Sequence, residues 1–380
     1  MTFPSGSPRV RDLVLVFDVA TPTPDEDSGS QRAEAILRVL GERFEVAFLP
    51  VSTRYRPEML ARLAMLGVHA PAEREEQVRF VTENARRVRW ALIARPEAFA
   101  YWYPLLAVMG VSAPVVYDSV DAHHVRLGRE AEHRKSTGDP RWFASAAEAE
   151  AARGLEGLIL DHADVVLTVC DTDADAFRRL RPATTCLTVS NAYDAFERER
   201  ADVPRSSVVF VGPSAHRPNA DAVAWIESDI APRVARRLPE VEILVVGRGW
   251  EPEGASVPTN VTRLGWVEDL SPVYDRSFAA IAPLRYGAGV KGKVAEAIAH
   301  AVPVVGTACA TEGMGLRSGV DVLTATSTDD FVDALARLRT DERLAGRITG
   351  SASESLRRRM GMDVLRAALD DLDFRLTASS

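Results

Sequence analysis

Cysteine and long apolar segments are scarce in this chain of 380 residues. Its three cysteines, Cys170, Cys186 and Cys309, are too few and too scattered for a disulfide framework or a structural zinc site, and we interpret them as small hydrophobic residues. No stretch approaches the roughly 18 consecutive apolar residues of a membrane-spanning helix. Residues 1–12 also lack the basic segment and apolar run of a secretory signal. We therefore expect a cytoplasmic protein, with peripheral contact to a membrane left open.

An excess of positive charge is absent as well. Lysine and arginine together number 46 against 54 acidic residues, which gives a net charge of −8. Non-specific binding to nucleic acid depends on lysine and arginine contacts to phosphates, so we expect no nucleic-acid partner. The Walker A sequence of P-loop NTPases does not occur either. The hydrophobic content of 46% and the charged content of 26% are those of an ordinary globular protein, long enough for two domains.

Short apolar runs rich in β-branched residues alternate with longer amphipathic stretches along the first half of the chain. These runs predict five strands, at residues 13–17, 46–49, 91–94, 114–117 and 165–169. Because they show no strict alternation of apolar and polar residues, we predict a parallel sheet with helices on both faces. A helical pattern over residues 30–40, between the first two runs, agrees with this order.

The same order begins again after residues 197–204, a charged segment ending in proline that we interpret as the interdomain linker. Six further strands are predicted, at residues 208–211, 242–246, 261–264, 279–282, 302–305 and 322–325. Helical patterns over residues 219–238 and 293–300 lie between them. We therefore predict two Rossmann-like α/β domains, residues 1–200 and residues 201–380, each with a doubly wound parallel sheet. The last helix is expected to pack back on the N-terminal domain.

Residues 126–157 are charged and rich in alanine, which predicts a partly exposed helical region. We interpret its basic residues Arg126, Arg129, Arg134 and Lys135 as a solvated helix face. An acidic surface is the alternative partner for these side chains.

The loops that follow strands are the expected ligand-binding positions in open α/β sheets. In the first such loop Gly29 permits close approach of the backbone to a ligand, and Ser28 or Ser30 is expected to cap the next helix. His123 follows another strand end and is a candidate for proton transfer or for a hydrogen bond to a sugar hydroxyl. In the second half, Gly247 follows a strand in the sequence VVGRG. Each of these loops also fits a purely structural role.

The strongest candidate site is PLRYGAGVKGKVAE, in which a glycine-rich turn opens a helix. Backbone N–H groups at Gly289 and Gly292, together with the ammonium groups of Lys291 and Lys293, predict a diphosphate site. Glu296, just inside the helix, is expected to accept two hydrogen bonds from a ribose diol. A glycine turn with solvated lysines is the alternative interpretation.

Together these segments resemble the family 4 (group 1) retaining glycosyltransferases. The donor domain of that family is similar to the stretches VVFVGPSAHRPNADAVAWI, VEILVVGRG, VTRLGWVEDL, PLRYGAGVKGKVAEAIAHAVPVVGT and ATEGMGL. Its acceptor half is similar to PTPDEDSGSQR and YDSVDAHHVR. The resemblance covers residues 10–365 and implies a GT-B fold, in which the active site lies in the cleft between two Rossmann-like domains.

The resemblance also implies roles for individual residues. Glu296 matches the second acid of the family's E-x7-E signature, which binds the donor ribose. His123 and Lys291 are the implied catalytic residues. The implied donor-binding residues are Gly29, Arg217, Gly247, Gly265, Val267, Gly289, Val290, Gly292, Lys293 and Glu296.

Two departures from the family pattern concern the donor site. The first acid of the signature falls on Ala288, which removes a carboxylate contact to sugar hydroxyls and leaves the donor sugar unpredicted. The basic residues that often follow the first strand of the donor domain are also missing. His216, Arg217 and Lys291 are expected to supply that positive charge instead.

We therefore expect glycosyl transfer from a nucleoside diphosphate sugar, with retention of anomeric configuration. The acceptor, whether a glycan, a lipid-linked sugar or a small molecule, is not predicted. Because lysine side chains and a helix dipole supply charge, we expect no metal site and no cofactor beyond the sugar nucleotide. A nucleotide-sugar epimerase and a catalytically silent sugar-nucleotide-binding protein stay as alternatives, and an NAD-dependent dehydrogenase is a more distant one.

Overall fold

The computed structural model describes residues 11–194, 196, 199–250 and 257–378. Within these residues the chain forms two parallel β-sheets, one in each half. Of residues 1–12, in which we expect no secretory signal, residues 1–10 lie outside the described residues. Residues 197 and 198 of the predicted linker lie outside them as well.

The N-terminal sheet and its helices follow each other in the order of a doubly wound fold. Its strands are β1 (Leu13–Asp18), β2 (Glu45–Pro50), β3 (Val68–His69), β4 (Val88–Ala94), β5 (Val115–Asp118), β6 (Val165–Thr168) and β7 (Cys186–Thr188). The helices are α1 (Ser28–Gly41), α2 (Pro57–Met65), α3 (Arg74–Asn84), α4 (Pro96–Val108), α5 (His123–Ser136), α6 (Trp142–Leu160) and α7 (Asp171–Leu180), with a 3-10 turn at Ala85–Arg87. The parallel strands lie in the order β3-β2-β1-β4-β5-β6-β7.

The C-terminal sheet repeats this plan with six strands. They are β8 (Ser207–Val211), β9 (Glu242–Val246), β10 (Val261–Gly265), β11 (Ser277–Ala282), β12 (Val304–Gly306) and β13 (Leu323–Thr324), in the order β10-β9-β8-β11-β12-β13. The helices are α8 (Arg217–Trp225), a π-helical turn (Ile226–Ile230), α9 (Ala231–Arg237), α10 (Ser271–Asp275), α11 (Gly292–Ala299), α12 (Ala308–Thr311), α13 (Thr328–Thr340), α14 (Glu342–Met360) and α15 (Met362–Ala378).

Burial of both faces of the central strands explains the unbroken apolar runs. In β1, Val14 and Val16 pack into one hydrophobic cluster, which includes residues of α1 and α15. Leu13, Leu15 and Phe17 pack into a second cluster, which includes residues of α4 and α6. Successive side chains of this run enter the two clusters in turn, so both faces of the strand are apolar.

The eleven predicted strands all coincide with observed strands, and the prediction of two parallel sheets is confirmed. Strands β3 and β7 were missed because they are only two and three residues long. The helix predicted over residues 219–238 is confirmed: helical structure runs without a gap over residues 217–237, with a π-helical turn just before Pro232, which has no N–H to donate. The helical region over residues 126–157 is two helices, because Gly138 takes a φ of 75° after α5.

The last helix, α15, packs against the N-terminal half of the chain. Its buried residues, at helical spacing in the cluster that contains Val14 and Val16, are Leu365, Leu369, Leu372 and Leu376. Asp373 of the same helix is buried and accepts hydrogen bonds from Arg89 at 2.9 Å and from the indole of Trp90 at 3.1 Å. The chain therefore crosses from the second sheet back to the first at its end.

Each sheet has a switch point, where the direction of winding reverses. It lies between β1 and β4 in the first sheet and between β8 and β11 in the second. Loops leaving neighbouring strands diverge at such a point and leave a crevice beyond the carboxyl ends of the strands. The loops after these four strands are therefore the first places to look for a ligand site.

Candidate active site in the interdomain cleft

A cavity of about 430 Å³ lies between the carboxyl ends of the two sheets. Its walls come from the loops after β1, β4 and β5 on one side and from the loops after β8, β9, β10 and β11 on the other. The volume falls within the range of about 300–1,000 Å³ that is typical of small-molecule sites. The cavity thus joins the switch points of both sheets in one cleft.

Residues 287–293, which we call the glycine–lysine bend, lead from β11 into α11. Gly289 has a φ of 66°, in the left-handed region that favours glycine. An added Cβ at Gly292 would lie 2.2 Å from the Cβ of Ser28, so glycine alone allows this approach between the two halves of the chain. The bend therefore brings the first turn of α11 against the first turn of α1.

The two lysines of the bend are held by hydrogen bonds. Lys291 donates from Nζ to the carbonyl oxygen of Gly289 at 2.7 Å and lies 3.8 Å from the carboxylate of Glu312. Lys293 donates from Nζ to Oδ1 of Asn219 at 2.8 Å. Burial, and then the charge of Lys291, lower the pKa of Lys293 to about 8. Both side chains line the cavity, so they can meet an anion there.

Glu296 stands in the first turns of α11 on the same wall of the cavity. Its carboxylate accepts a hydrogen bond from the hydroxyl of Tyr274 at 3.3 Å. Burial raises the pKa of Glu296 to about 7, although the Tyr274 hydrogen bond and the charge of Lys293 act in the opposite direction. The carboxyl group is therefore partly protonated near neutral pH when the cavity is empty.

The opposite wall begins at the N-terminus of α1. Asp27 caps this helix, since its carboxylate accepts hydrogen bonds from the N–H and the hydroxyl of Ser30 at 2.8 and 2.7 Å. The expectation that Ser28 or Ser30 provides the cap is therefore wrong, because the carboxylate one residue earlier reaches the free N–H first. Gly29 lines the cavity, and an added Cβ there would lie 3.2 Å from the guanidinium of Arg95.

His123 reaches the cavity through a sharp turn after β5. Val120 has a φ of 60°, which is rare for a β-branched residue. His123 Nδ1 lies 3.0 Å from the carboxylate of Asp121, and the backbone N–H of His123 donates to buried Glu156 at 2.9 Å. Burial alone would lower the pKa of His123, but the hydrogen bond and the charge of Asp121 outweigh it and raise that pKa. The charged, hydrogen-bond-donating form of His123 is thereby favoured.

Most of the residues predicted for the site converge on this one cavity. Those that line it are Gly29, His123, Gly247, Val267, Val290, Lys291, Gly292, Lys293 and Glu296. Gly265 and Gly289 do not line it. Gly265 accepts a backbone hydrogen bond from Gly247 at 2.8 Å, and the N–H of Gly289 is directed at Asp173, 3.4 Å away.

Arg217 is also placed away from the cavity lining. Its guanidinium lies 3.2 Å from the carboxylate of Glu130 on α5 and 2.6 Å from that of Glu148 on α6. His216, its neighbour, does line the cavity. Burial, and then the charges of Lys293 and Arg126, lower the pKa of His216 to about 4. Neither residue of this pair therefore adds the positive charge to the cavity wall that was expected of it.

Sequence reasoning missed Arg95 of the cavity wall and reached Trp266 only through its neighbours Gly265 and Val267. Arg95 follows β4 at the switch point of the first sheet and pairs with Asp18 at the end of β1. Trp266 follows β10 and has the guanidinium of Arg248 over its ring, 4.9 Å from the centroid. Applying the strand-end rule to every predicted strand, and not only to loops rich in glycine or histidine, would have found both.

The basic residues near the start of α5 are not a solvated face. Arg126 donates to Asp121 at 2.8 Å inside the cleft, and Arg129 pairs with Glu312 of the C-terminal half. Arg134 pairs with Glu130, one turn earlier, at 2.7 Å. The solvated interpretation was wrong for these three arginines, because two have acidic partners a few positions earlier and the third has one that only the fold brings close. It holds for Lys135, which is exposed.

The C-terminal domain matches the model of a known protein family. Residues 205–341 match a family model described as Glycosyl transferases group 1. The C-terminal domain is therefore similar to the group 1 glycosyltransferases. The glycine–lysine bend, Glu296 and the loops after β8, β9 and β10 all fall within the matched residues.

One curated protein is similar to part of this chain. It is an uncharacterized 44.6 kDa protein in the cps region of Klebsiella pneumoniae, 25% identical over 142 residues. The match covers 34% of this chain and 36% of the relative, so it spans about a third of each protein.

Solved structures resemble this chain over nearly its whole length. Sucrose-phosphate synthase from Thermosynechococcus elongatus has a TM-score of 0.73 at 14% identity and covers 97% of this chain and 100% of its own. HepE from Anabaena, in complex with UDP and glucose, has a TM-score of 0.67 at 13% identity and covers 94% and 98%. A glycosyltransferase from Rickettsia africae has a TM-score of 0.66 at 10% identity and covers 97% and 100%. The predicted GT-B fold is confirmed.

Two kinds of feature are absent from the described residues. Among them no helix is both long and apolar enough to cross a membrane. The same part of the chain contains no group of three or more His, Cys, Asp or Glu residues arranged to hold a metal ion.

Proposed function

We propose that this protein transfers a sugar from a nucleoside diphosphate sugar to an acceptor in the cytoplasm, with retention of anomeric configuration. One observation carries the proposal. Lys291, Lys293, the first turn of α11 and Glu296 all line one cavity at the switch points of the two sheets. A diphosphate and a ribose diol are the groups that such an arrangement binds, because the former needs positive charge and the latter a paired acceptor.

The lysine content of the chain supports this assignment. The chain has three lysines, Lys135, Lys291 and Lys293, and arginine supplies all its other permanently charged basic side chains. An ammonium group is a compact point charge, whereas a guanidinium is planar and larger. Where Gly292 already touches Ser28, the smaller group leaves room for phosphate oxygens. Two of the three lysines therefore stand where the size of the cation matters.

In the proposed reaction, bond breaking at the anomeric carbon leaves negative charge on the leaving diphosphate. Lys291, Lys293 and the N–H groups at the start of α11 face that charge and stabilise it more strongly than they stabilise the intact donor. The leaving phosphate accepts the proton of the acceptor hydroxyl, so no carboxylate base is needed. Because the protein supplies this charge, we propose that no metal ion and no further cofactor takes part.

His123 lies on the opposite wall and is assigned to the sugar end of the donor. Its link to Asp121 favours the imidazolium, which donates a hydrogen bond to a sugar hydroxyl. Gly247, Val267 and Trp266 line the remaining part of the cavity, where a nucleobase would lie. The HepE structures in complex with UDP-glucose support UDP-glucose as the first donor to test.

The test measures release of free nucleoside diphosphate from UDP-glucose and from ADP-, GDP- and dTDP-sugars, with and without a panel of acceptors. We expect acceptor-dependent release, and a fall of at least about 100-fold in Lys291→Ala, as for other preorganised charge donors. Lys135→Ala is the control, since Lys135 is an exposed residue of α5.

The alternatives give different results in the same experiment. An epimerase would convert the sugar without acceptor-dependent release of nucleotide. A silent binding protein would be stabilised by a sugar nucleotide in a thermal-shift assay and release nothing. If no sugar nucleotide raises the melting temperature or is consumed, the proposal is wrong.

A further inference from the structure

The glycine–lysine bend is held from the N-terminal half of the chain by an arginine that the proposed reaction does not use. Arg129, on α5, donates from Nη1 to the carbonyl oxygen of Gly287 at 2.7 Å. The same guanidinium forms a two-point pair with Glu312, at the end of α12, with distances of 2.5 and 2.8 Å. One side chain thus fixes both the backbone of the bend and a carboxylate of the opposite sheet.

Glu312 passes this restraint on to Lys291. Its Oε2 lies 3.8 Å from Nζ of Lys291, which donates to the carbonyl oxygen of Gly289 at 2.7 Å. The N–H of Gly289 is in turn directed across the cleft at Asp173 on α7, 3.4 Å away. The bend is therefore tied to the N-terminal half at two backbone groups, one on either side of Ala288.

We propose that Arg129 is a positioning residue for the diphosphate site. It sets the backbone of the bend directly and the place of Lys291 through Glu312, so that the site is complete only while the two halves of the chain are closed on each other. A guanidinium suits this task because its fork of N–H groups reaches a carboxylate and a carbonyl oxygen at once. The proposal rests on the proposed function for the role of the bend, but the restraint belongs to the free protein.

Hydrogen–deuterium exchange of the full-length protein without ligand tests the restraint directly. Arg129→Gln and Arg129→Lys are expected to raise deuterium uptake in peptides covering residues 284–296, since glutamine loses the charge and lysine loses the two-point pair with Glu312. Arg366→Gln is the matched control, because Arg366 makes a two-point pair with Glu42 at 2.8 and 2.9 Å and lines no part of the cavity. Uptake in both Arg129 variants equal to that of the wild type would overturn the proposal.

Binding of inorganic pyrophosphate, measured by calorimetry, separates positioning from simple charge. Glu312→Gln removes a negative charge beside Lys291, so a purely electrostatic role predicts tighter binding in this variant. A positioning role predicts weaker binding, by about tenfold, in Glu312→Gln and Arg129→Gln alike, because charge-assisted hydrogen bonds that hold the bend are lost in each. Tighter binding in Glu312→Gln would refute the positioning role.

The failure of this proposal is distinguishable from the failure of the proposed function. A wild-type protein that binds no pyrophosphate contradicts the assignment of the bend as a diphosphate site, whatever the exchange results. Unchanged exchange contradicts the role of Arg129 alone. A variant that simply unfolds raises uptake in every peptide, and Arg129→Lys, which keeps the charge, then takes the place of Arg129→Gln.

Discussion

The pKa of Lys293 can be predicted and measured without knowing the donor or the acceptor. Its ammonium group lies inside the cleft, bonded to Asn219, with Lys291 as a nearby like charge. Burial, followed by that charge, lowers the pKa of Lys293 from the ordinary value of 10.5 to about 8. The difference corresponds to about 3 kcal/mol in favour of the neutral amine. An anion that occupies the cavity favours the charged form and raises this pKa, which makes the lysine a sensor of occupancy.

Reductive methylation with ¹³C-formaldehyde makes each lysine visible by NMR, and a chain with three lysines gives few signals. Single Lys→Arg variants assign the signals, with exposed Lys135 as the internal reference. We expect the Lys293 signal to titrate near pH 8, well below that of Lys135. If the two lysines titrate together, the cleft does not desolvate Lys293 and the account of its charge is wrong.

Adding inorganic pyrophosphate extends the same titration to the proposed ligand. A bound anion favours the charged amine, so we expect the midpoint for Lys293 to rise by at least about one pH unit, or about 1.4 kcal/mol. By linkage, the affinity for pyrophosphate should fall as the pH rises through 8, because the free lysine then loses its proton. Saturating pyrophosphate that leaves the midpoint unmoved would show that the phosphate site lies elsewhere.

Three further outcomes are expected. Because burial raises the pKa of Glu296 to about 7, the wild type should lose up to about 3 kcal/mol of unfolding free energy relative to Glu296→Gln between pH 4.5 and 7. Urea denaturation of both proteins measures this, and a difference between them that does not change with pH contradicts it. Gly292→Ala should lower the free energy of unfolding by about 1–3 kcal/mol, because the added Cβ collides with Ser28. Adding Ser28→Gly to this variant should restore the melting temperature, and a melting temperature that stays low excludes the collision. His123→Asn should lower the turnover rate about 100-fold and leave calorimetric binding of the nucleoside diphosphate unchanged.

The sheets were predictable because the relevant signal is local and repeated. Each central strand is buried on both faces, so its residues form an unbroken apolar run, as in 13–17 and 242–246. The missed strands, β3 and β7, are too short to produce such a run and owe their pairing to β2 and β6. The π-helical turn within the helix over residues 219–238 comes just before Pro232, and the apolar pattern does not reveal it.

The site was predictable where its chemistry is contiguous in the chain. Gly289, Lys291, Lys293 and Glu296 lie within eight positions, so the bend could be recognised before its surroundings were known. Arg129 and Glu312 are 183 positions apart, and no local pattern marks either as the partner of the other. Arg217 was assigned to the site because it is a basic residue near it in the sequence. In the structure its guanidinium instead pairs with Glu130 and Glu148.

The acidic loop before α1 explains how a protein of net negative charge can present this wall to a diphosphate. Three acids in a row, Asp25, Glu26 and Asp27, line the cavity and would repel phosphate if their charges were free. Asp25 pairs with Arg62 at 3.2 Å, Glu26 with Arg248 at 2.8 Å, and Asp27 is occupied by the helix cap. With the carboxylates neutralised in this way, what remains facing the ligand is the positive end of the α1 dipole, opposite that of α11. Glu26 also pairs with Arg56 of its own half at 2.5 Å. Among these contacts it is therefore the pair with Arg248, from the opposite half, that depends on the closed cleft, as the hold of Arg129 on the bend does.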